Sequence, residues 1–353
     1  MLNFLPETVI VTLLGAVGGI VLGLAARLSR FCTLGAIEDA LYAQDFKLIR
    51  MWVIAIGCAI LVVGLASLPG WVIIESSLYG TMPFSPILTI IGGLLFGVGM
   101  AFSGNCGFGA LSRLGGGDLK SFVIVLVMGI TAYTVSSGLF SPLTIWLRGV
   151  LIISETTPNL LDIVSKYIKI SYASLSSLIG IALIWIALWD HKFRRSGNHV
   201  YWGIMVGLAI SSGWVGTHLI AQYGFEDLRP VSHSFTAPIG TVILYTMTSL
   251  GGGFNFAIGS VLGVWGGALI GSLIRGHFRL EGCEDPRELQ RQILGAIMMG
   301  FGAIFALGCS VGQGLSAMSE LSLNAPIAII SIFVGAKLGL GYLITGRFLF
   351  FNS

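Results

Sequence analysis

The sequence predicts an all-α polytopic membrane protein with about nine spanning helices and several short re-entrant helices. Of its 353 residues, 55% are hydrophobic and only 10% are charged, whereas soluble domains carry roughly 25% charged residues. Several apolar runs reach the length of about 20 residues that crosses a bilayer. The 50 glycines are a third indication, because glycine lets helices pack closely and lets the backbone break within a membrane protein.

The long apolar runs predict spanning helices, in chain order, near 8–26, 50–69, 86–103, 119–138, 172–190, 200–220, 254–274, 290–308 and 326–345. The first run has no basic leader and no small-residue cleavage site after it, so we expect a retained helix. Shorter apolar pieces cannot cross a bilayer, and they predict re-entrant or interfacial half-helices near 32–43, 106–113, 141–153, 239–250 and 309–318. We expect residues 1–353 to form a single integral membrane transport domain.

Basic residues concentrate in three connections, at 27–50, 192–195 and 275–291. A chain of nine spanning helices places all three connections on the same side. An excess of lysine and arginine marks cytoplasmic connections. The expected topology therefore has the N-terminus outside and the C-terminus inside.

The chain also contains an internal repeat. A shift of 203 residues aligns six identical residues of 92–109 with 295–312, including Cys106 with Cys309. Five predicted helices separate the two cysteines, so the copies should point in opposite directions. We expect an inverted repeat with halves at 1–150 and 200–353, joined by 151–199. Such repeats place a binding site near the midplane of the membrane.

A second echo appears at a shift of 248 residues. It aligns the glycines of the first predicted helix with those of the seventh, and Arg27 with Arg275. Under this shift Cys32 falls opposite Leu280, so the second copy would have lost that thiol.

Two glycine-bracketed breaks carry the repeated cysteines, in FSGNCGFGALS (102–112) and FALGCSVGQGLS (305–316). A lone cysteine is commonly a small buried hydrophobe. The equivalent positions of Cys106 and Cys309 instead favour a functional role. Their neighbours Gly107 and Ser310 belong to the same candidate site. Asn105 and Gln313 could each donate a hydrogen bond to a substrate or cap their own half-helix.

A third cysteine, Cys32, lies in SRFCTLGAIEDALY, just after Arg30. A nearby cation can stabilise a thiolate or an anionic ligand, although an interfacial packing role is equally open for this cysteine. The tract RLGGGDLK, at 113–120, follows the first break and contains Arg113 and Lys120. It could form a backbone anion nest or a plain flexible connection.

Several function classes are disfavoured. The predicted spanning segments contain almost no acidic residues, which argues against a carboxylate-based pump or cation channel. No P-loop and no CxxC or CxxH spacing occurs, so we expect no ATP hydrolysis and no cofactor, zinc or haem. No basic block suggests nucleic acid.

Cys58 is expected to pack within a helix and Cys283 to lie in a connection. Thiols, glycine amides and a few cations suit a sulfur-bearing anion, because sulfur is polarisable.

The motifs RFC, GNCGFG and GCSVGQGLS, in this order and with the internal duplication, resemble the YeeE/YedE family of bacterial inner-membrane proteins. The resemblance covers nearly the whole chain and implies thiosulfate uptake through an hourglass of about nine spanning helices with short helices dipping in from both faces. It implies that three cysteines along a narrow path pass thiosulfate by S–H···S contacts. By motif match these would be Cys32, Cys106 and Cys309. Other family members are linked to other sulfur or selenium compounds, and some operate beside a small cytoplasmic sulfur-carrier protein.

We therefore predict a permease, not an enzyme, that moves thiosulfate or a related sulfur anion into the cytoplasm. The expected substrate-binding residues are Cys32, Cys106, Cys309, Asn105, Gly107, Ser310, Gln313, Arg30 and Lys120. Expected partners are the substrate, the lipid bilayer and the sulfur carrier. One alternative is a membrane sulfurtransferase that forms a cysteine persulfide, a second is a transporter of another sulfur or selenium compound, and a third is a structural subunit with dispensable cysteines.

Overall fold

The computed structural model describes residues 6–160, 164, 171–224, 228–248, 253–282 and 285–346. The α-helices of these residues are, in order, α1 Glu7–Leu28, α2 Thr33–Glu38, α3 Lys47–Ala66, α4 Pro86–Ser103, α5 Gly107–Gly115, α6 Leu119–Ser136, α7 Ser141–Leu151, α8 Tyr172–Leu188, α9 His191–Arg194, α10 Gly197–Tyr223, α11 Thr236–Thr248, α12 Phe256–Ile274, α13 Pro286–Phe305 and α14 Asn324–Thr345. Two π-helical segments, Asp39–Ala43 and Gly312–Ala317, and one 3-10 turn, Ile74–Ser76, complete the helical structure.

All nine predicted spans are helices, and all five shorter pieces contain helical structure. In the described part of the chain, seven helical stretches are long and apolar enough to cross a membrane, and they begin at Glu7, Lys47, Pro86, Leu119, Gly197, Phe256 and Asn324. The other two predicted spans fall short for different reasons. Helix α8 has only 17 residues, and α13 opens with the charged sequence PRELQRQ. The protein is a multi-pass membrane protein, and large apolar side chains such as Leu178 and Ile330 are exposed.

Close helix packing explains the glycine content. A Cβ atom on Gly19 of α1 would lie 2.4 Å from the carbonyl oxygen of Ser260 on α12. One on Gly97 of α4 would lie 2.2 Å from the carbonyl oxygen of Ile332 on α14. These helix pairs can approach this closely only because glycine lacks a side chain, as in other membrane helix pairs.

The echo at a shift of 248 residues relates two helices that run in the same direction. Gly15 of α1 meets Phe256 and Ser260 of α12, and further along Gly23 meets Val264. Residue numbers rise together along both helices, so α1 and α12 run parallel. Both helices carry glycine on the face that they share, at Gly19 and Gly23 of α1 and at Gly267 and Gly271 of α12, because each must let the other approach.

The contacts between α4 and α13 are reciprocal. A Cβ atom on Gly92 would lie 2.7 Å from the oxygen of Gly302, and one on Gly302 would lie 2.7 Å from the oxygen of Gly92. Gly99 and Gly295 face each other in the same way, at 2.6 and 2.5 Å. The shift of 203 residues exchanges Gly92 with Gly295 and Gly99 with Gly302. Residue numbers rise along α4 while those of the facing glycines fall along α13, so the two helices run antiparallel.

The three basic connections lie at one end of the helices, as predicted. The carbonyl oxygen of Leu28 accepts hydrogen bonds from Asn198 and from Arg275. Lys120 at the start of α6 pairs with Glu288 of α13 at 3.2 Å. We call this end the basic face. The other end is the opposite face, where Phe84 bonds to Ser154.

Candidate functional site

Two short helices present thiols in the same way. Cys106 precedes α5, and its sulfur accepts a hydrogen bond from the N–H of Gly109 at 3.3 Å. Cys309 accepts one from the N–H of Gly312 at 3.4 Å. The C-x-x-G spacing therefore places each sulfur at a helix N-terminus, where unpaired N–H groups favour negative charge.

Positive φ angles just before these thiols redirect the chain. Helix α4 ends at Gly104, whose φ is +72°, and α13 is followed by Leu307, whose φ is +59°. Glycine adopts the left-handed conformation at little cost, whereas leucine does so only where its surroundings hold it. Each long helix is thereby broken, and a new helix begins inside the protein.

Cys32 lies against Cys106. The two thiols are neighbours that interact with each other, and the N–H groups of Leu34 and Gly35 also face the Cys32 sulfur. A Cβ atom on Gly109 would lie 3.3 Å from the Cys32 sulfur and 3.5 Å from the Cys106 sulfur. The absence of a side chain at position 109 therefore leaves the space beside the two sulfurs open.

Cys309 has a comparable polar neighbour, Ser234, whose hydroxyl lies 3.8 Å from its sulfur. The hydroxyl of Tyr79 lies near Ser234 and interacts with it. A Cβ atom on Gly312 would lie 2.8 Å from both the Ser234 and the Tyr79 oxygens. Ser234 thus stands beside Cys309 and Gly312 as Cys32 stands beside Cys106 and Gly109.

One side chain links the two thiol sites. The hydroxyl of Thr33 donates to Ser310 at 2.9 Å, and it also interacts with the nearby Cys106 thiol. Ser310 directly follows Cys309. The structure therefore brings Cys32, Cys106, Cys309 and Ser310 into one polar cluster. Cys106 and Cys309 are almost completely buried, whereas Cys32 is partly exposed.

A cavity of about 250 Å³ opens on the basic face and reaches this cluster at Cys32, Asn105 and Gly109. Arg27, Arg30, Arg113 and Glu38 also line this cavity. Arg30 is exposed and has a φ of +60°. Three cations against one carboxylate give the cavity a positive potential, which attracts anions.

A second cavity, of about 400 Å³, opens on the opposite face and ends at Cys309, Ser234 and Tyr79. Arg148 of α7 lines it, and one guanidinium nitrogen donates to the carbonyl oxygen of Ile304 at 3.0 Å. Burial lowers the pKa of Arg148, yet an arginine remains charged at neutral pH. Each of the two cavities therefore combines arginine with at least one thiol.

Buried aromatic rings pack beside the cluster. The rings of Phe108 and Phe235 lie 5.1 Å apart, and those of Phe31 and Phe108 lie 6.4 Å apart. All three side chains are at most 1% exposed. Apolar walls of this kind make the polar contacts of the thiols stronger than they are in water.

Other predicted residues have different surroundings. Both hydrogen bonds donated by the Gln313 amide go to the carbonyl oxygens of Ala306 and Leu307, at 3.0 Å each, so it caps α13. A Cβ atom on Gly107 would lie 2.8 Å from the end of the Met128 side chain, which makes this glycine a packing residue between α5 and α6.

Lys120 is not among the residues that line the basic-face cavity, and its ammonium group pairs with Glu288. Cys58 is buried within α3 and packs against Gly207, as its apolar context predicts. Cys283 lies outside the described residues.

Sequence reasoning missed Ser234, Tyr79 and Arg148. A serine or tyrosine carries no distinctive signal in an apolar chain. Ser234, however, precedes the short helix α11 much as Cys32 precedes α2, so a comparison of the repeat halves by element order could have found it. Arg148 lies in a segment predicted as interfacial, where a basic residue is ordinary.

Comparisons with known proteins identify the family of this chain. A family model described as "Sulphur transport" matches residues 28–338. A protein named thiosulfate transporter TsuA from Spirochaeta thermophila is 24% identical over 331 residues, which cover 91% of this chain and 96% of that protein. Its namesake from Escherichia coli K12 is 24% identical over 336 residues, which cover 91% of each. The chain therefore belongs to the sulphur-transport (YeeE/YedE) family of membrane proteins.

Proposed function

We propose that this protein takes up thiosulfate, or a related small sulfur anion, into the cytoplasm along its three thiols. The observation that carries the proposal is the pairing of Cys106 with Cys32, and of Cys309 with Ser234, between two arginine-bearing cavities. The relatives named thiosulfate transporters support the choice of substrate.

The substrate enters from the opposite face, where Arg148 attracts the anion into the larger cavity. Its terminal sulfur then meets the thiol of Cys309 and the hydroxyl of Ser234. Thr33 and Ser310 offer hydroxyl groups between Cys309 and Cys106. A thiol is a weak donor, and a series of weak sites favours passage because the substrate must also leave each of them.

The substrate leaves past Cys32 into the cavity of the basic face, where Arg30 and Arg113 receive the anion. We assign this face to the cytoplasm because its connections contain an excess of basic residues. We place the protein in the inner membrane of a bacterium. A small sulfur-carrier protein in the cytoplasm would accept the imported sulfur on this side. No covalent bond between the substrate and a thiol is needed at any step.

An inverted repeat within a single domain is part of this proposal. The antiparallel, reciprocal contacts of Gly92 with Gly302 and of Gly99 with Gly295 support a pseudo-two-fold axis between α4 and α13. The repeat halves are 1–150 and 200–353. Such an axis would make the approach to Cys309 from one face equivalent to the approach to Cys106 from the other.

Thiosulfate carries two negative charges, which sets an energetic requirement. Against 100 mV, inside negative, its entry costs about 4.6 kcal/mol, at roughly 2.3 kcal/mol per charge. Uptake therefore needs a coupled ion, a steep substrate gradient or rapid consumption inside the cell.

The test is uptake of labelled thiosulfate by cells that lack their own sulfate and thiosulfate permeases. Expression of the intact protein should restore uptake, and Cys106→Ala or Cys309→Ala should lower it at least tenfold, which corresponds to about 1.4 kcal/mol in the barrier. Cys58→Ala is the matched control, since Cys58 is buried within α3, and it should transport normally. An intact protein that reaches the membrane without restoring uptake would exclude thiosulfate as its substrate. Full uptake by both thiol variants would exclude the thiol path.

A further inference from the structure

A buried carboxylic acid lies beside the Cys309 site. Glu320 has 0% exposure and is the only fully buried Asp, Glu, Lys or Arg side chain of the described residues. It follows the π-helical segment Gly312–Ala317 and comes shortly before α14 begins at Asn324. Its place in a connection between two apolar pieces explains why the predicted spans contained almost no acid.

The contacts of Glu320 indicate a neutral acid rather than an ion-paired carboxylate. One carboxyl oxygen accepts a hydrogen bond from the Ser77 hydroxyl at 2.8 Å. The other oxygen is buried and has no hydrogen-bond partner. No described lysine, arginine or histidine forms a salt bridge with it. Burial raises the pKa of Glu320 well above its ordinary value, against the opposing effect of the Ser77 hydrogen bond.

The titratable groups near Glu320 come from three elements. Tyr79 belongs to the connection after α3, and Tyr172 begins α8, and both phenols interact electrostatically with the carboxyl group. His218 of nearby α10 bonds to the carbonyl oxygens of Trp214 and Ile73. Neither phenol can carry a positive charge that would compensate an ionised Glu320, and the ring nitrogens of His218 face those backbone oxygens rather than the carboxyl group.

Glu320 lies between an outer cavity and the thiol site. Tyr172 and Gly80 line a cavity of about 530 Å³ on the opposite face, and the N–H of Gly80 bonds to the same Ser77 hydroxyl that Glu320 binds. On the other side, Tyr79 connects through Ser234 to Cys309. A proton that enters from the outer cavity and a substrate held at Cys309 are therefore separated by only a few side chains.

We propose that Glu320 is the proton-binding site of a thiosulfate–proton symport, an inference that rests on the proposed transport of thiosulfate. Water on the opposite face supplies the proton to the carboxylate, and water on the basic face receives it. Each proton that travels with the substrate cancels one of its two negative charges. An ionised carboxylate without a cation is costly in this buried site. Proton release therefore favours movement of the re-entrant segment that Glu320 terminates.

The test uses the purified full-length protein in liposomes with the membrane potential clamped. Exchange of labelled for unlabelled thiosulfate, without any gradient, first measures transport alone. Net uptake is then compared with and without a more acidic outside, while a dye inside the liposomes reports proton entry. We expect thiosulfate to carry protons inward. With one coupled proton, each pH unit of gradient should raise thiosulfate accumulation about tenfold, the factor that corresponds to about 1.4 kcal/mol.

Glu320→Gln keeps the size of the side chain but cannot exchange a proton. It should exchange thiosulfate and should lose the response to the pH gradient. Glu155→Gln is the matched control, since Glu155 is exposed on the same face, and it should respond as the intact protein does. Ser77→Ala removes a hydrogen bond that lowers the pKa of Glu320, so the pH at half-maximal transport should move upward.

The outcomes separate the two proposals. If the intact protein does not exchange thiosulfate, the proposed function fails. If it exchanges thiosulfate but carries no protons, or if Glu320→Gln keeps the response to the pH gradient, the symport fails and the proposed function stands. If Glu320→Gln does not fold, an unchanged pH dependence in Ser77→Ala overturns the assignment of the proton to Glu320.

Discussion

A single methyl group at position 109 should block the proposed path. In Gly109→Ala the added Cβ atom would lie 3.3 Å from the Cys32 sulfur, 3.5 Å from the Cys106 sulfur and 3.6 Å from the side-chain oxygen of Asn105. These separations are at or slightly below ordinary van der Waals contact. The neighbours need to shift by only a few tenths of an ångström, so the protein should still fold.

The stability of Gly109→Ala should not fall. Alanine is favoured over glycine within a helix by about 1 kcal/mol, and this gain offsets a tight contact of similar size. The methyl group nevertheless fills the space that a sulfur atom of the substrate would occupy between the two thiols. We expect uptake to fall at least tenfold, because an increase of about 1.4 kcal/mol in the transport barrier is sufficient for that change.

The assay measures labelled thiosulfate uptake and thermal stability in detergent for Gly109→Ala and for a control. Gly266→Ala is the control because a Cβ atom at this helical glycine meets nothing within 4 Å, and it should transport normally. Normal uptake by a stable Gly109→Ala protein would refute the reasoning, because the substrate would then not pass between Cys32 and Cys106.

Three further variants test other parts of the account. Arg148→Gln should raise the KM for thiosulfate about threefold to tenfold, and this increase should be smaller at high salt because salt screens the charge of Arg148. Arg229→Gln is the control, because Arg229 lies outside that cavity, and its KM should not change. Uptake kinetics at two ionic strengths measure the KM of each variant. Thr33→Val removes the 2.9 Å hydrogen bond to Ser310 and should lower uptake while destabilising the protein by only about 1 kcal/mol, as uptake and melting curves would show. Gly97→Ala should destabilise the protein by about 1–3 kcal/mol through overpacking, since its Cβ would lie 2.2 Å from Ile332, whereas Gly341→Ala, which meets no neighbour, should leave the melting temperature unchanged.

Hydrophobic runs and glycine breaks were sufficient to predict where the helices lie. The predicted span 86–103 coincides with Pro86–Ser103, and the break before Cys106 lies where GNCG predicted it. Both follow from local rules, namely the length of an apolar run and the conformational freedom of glycine. The clustering of Cys32 with Cys106 was expected from the family resemblance rather than from the residues alone.

Long-range pairings could not be predicted in this way. The ion pair of Lys120 with Glu288 joins residues from different halves of the chain. Whether Gln313 faces a substrate or caps α13 depends on how the chain turns at Leu307. Glu320 was missed because its burial arises from the packing of the connection that contains Ser77. The parallel packing of α1 against α12 through glycines of both helices also joins residues far apart in the sequence.

The most direct test of the central claim measures which face exposes each thiol and whether substrate protects it. Variants that keep either Cys32 or Cys309 as the only path thiol would be treated with a membrane-impermeant alkylating reagent in membranes of defined orientation. We predict that Cys309 reacts only from the opposite face and Cys32 only from the basic face, and that thiosulfate slows both reactions. Reaction of both thiols from the same face, or rates that saturating thiosulfate leaves unchanged, would contradict a thiol path through the protein.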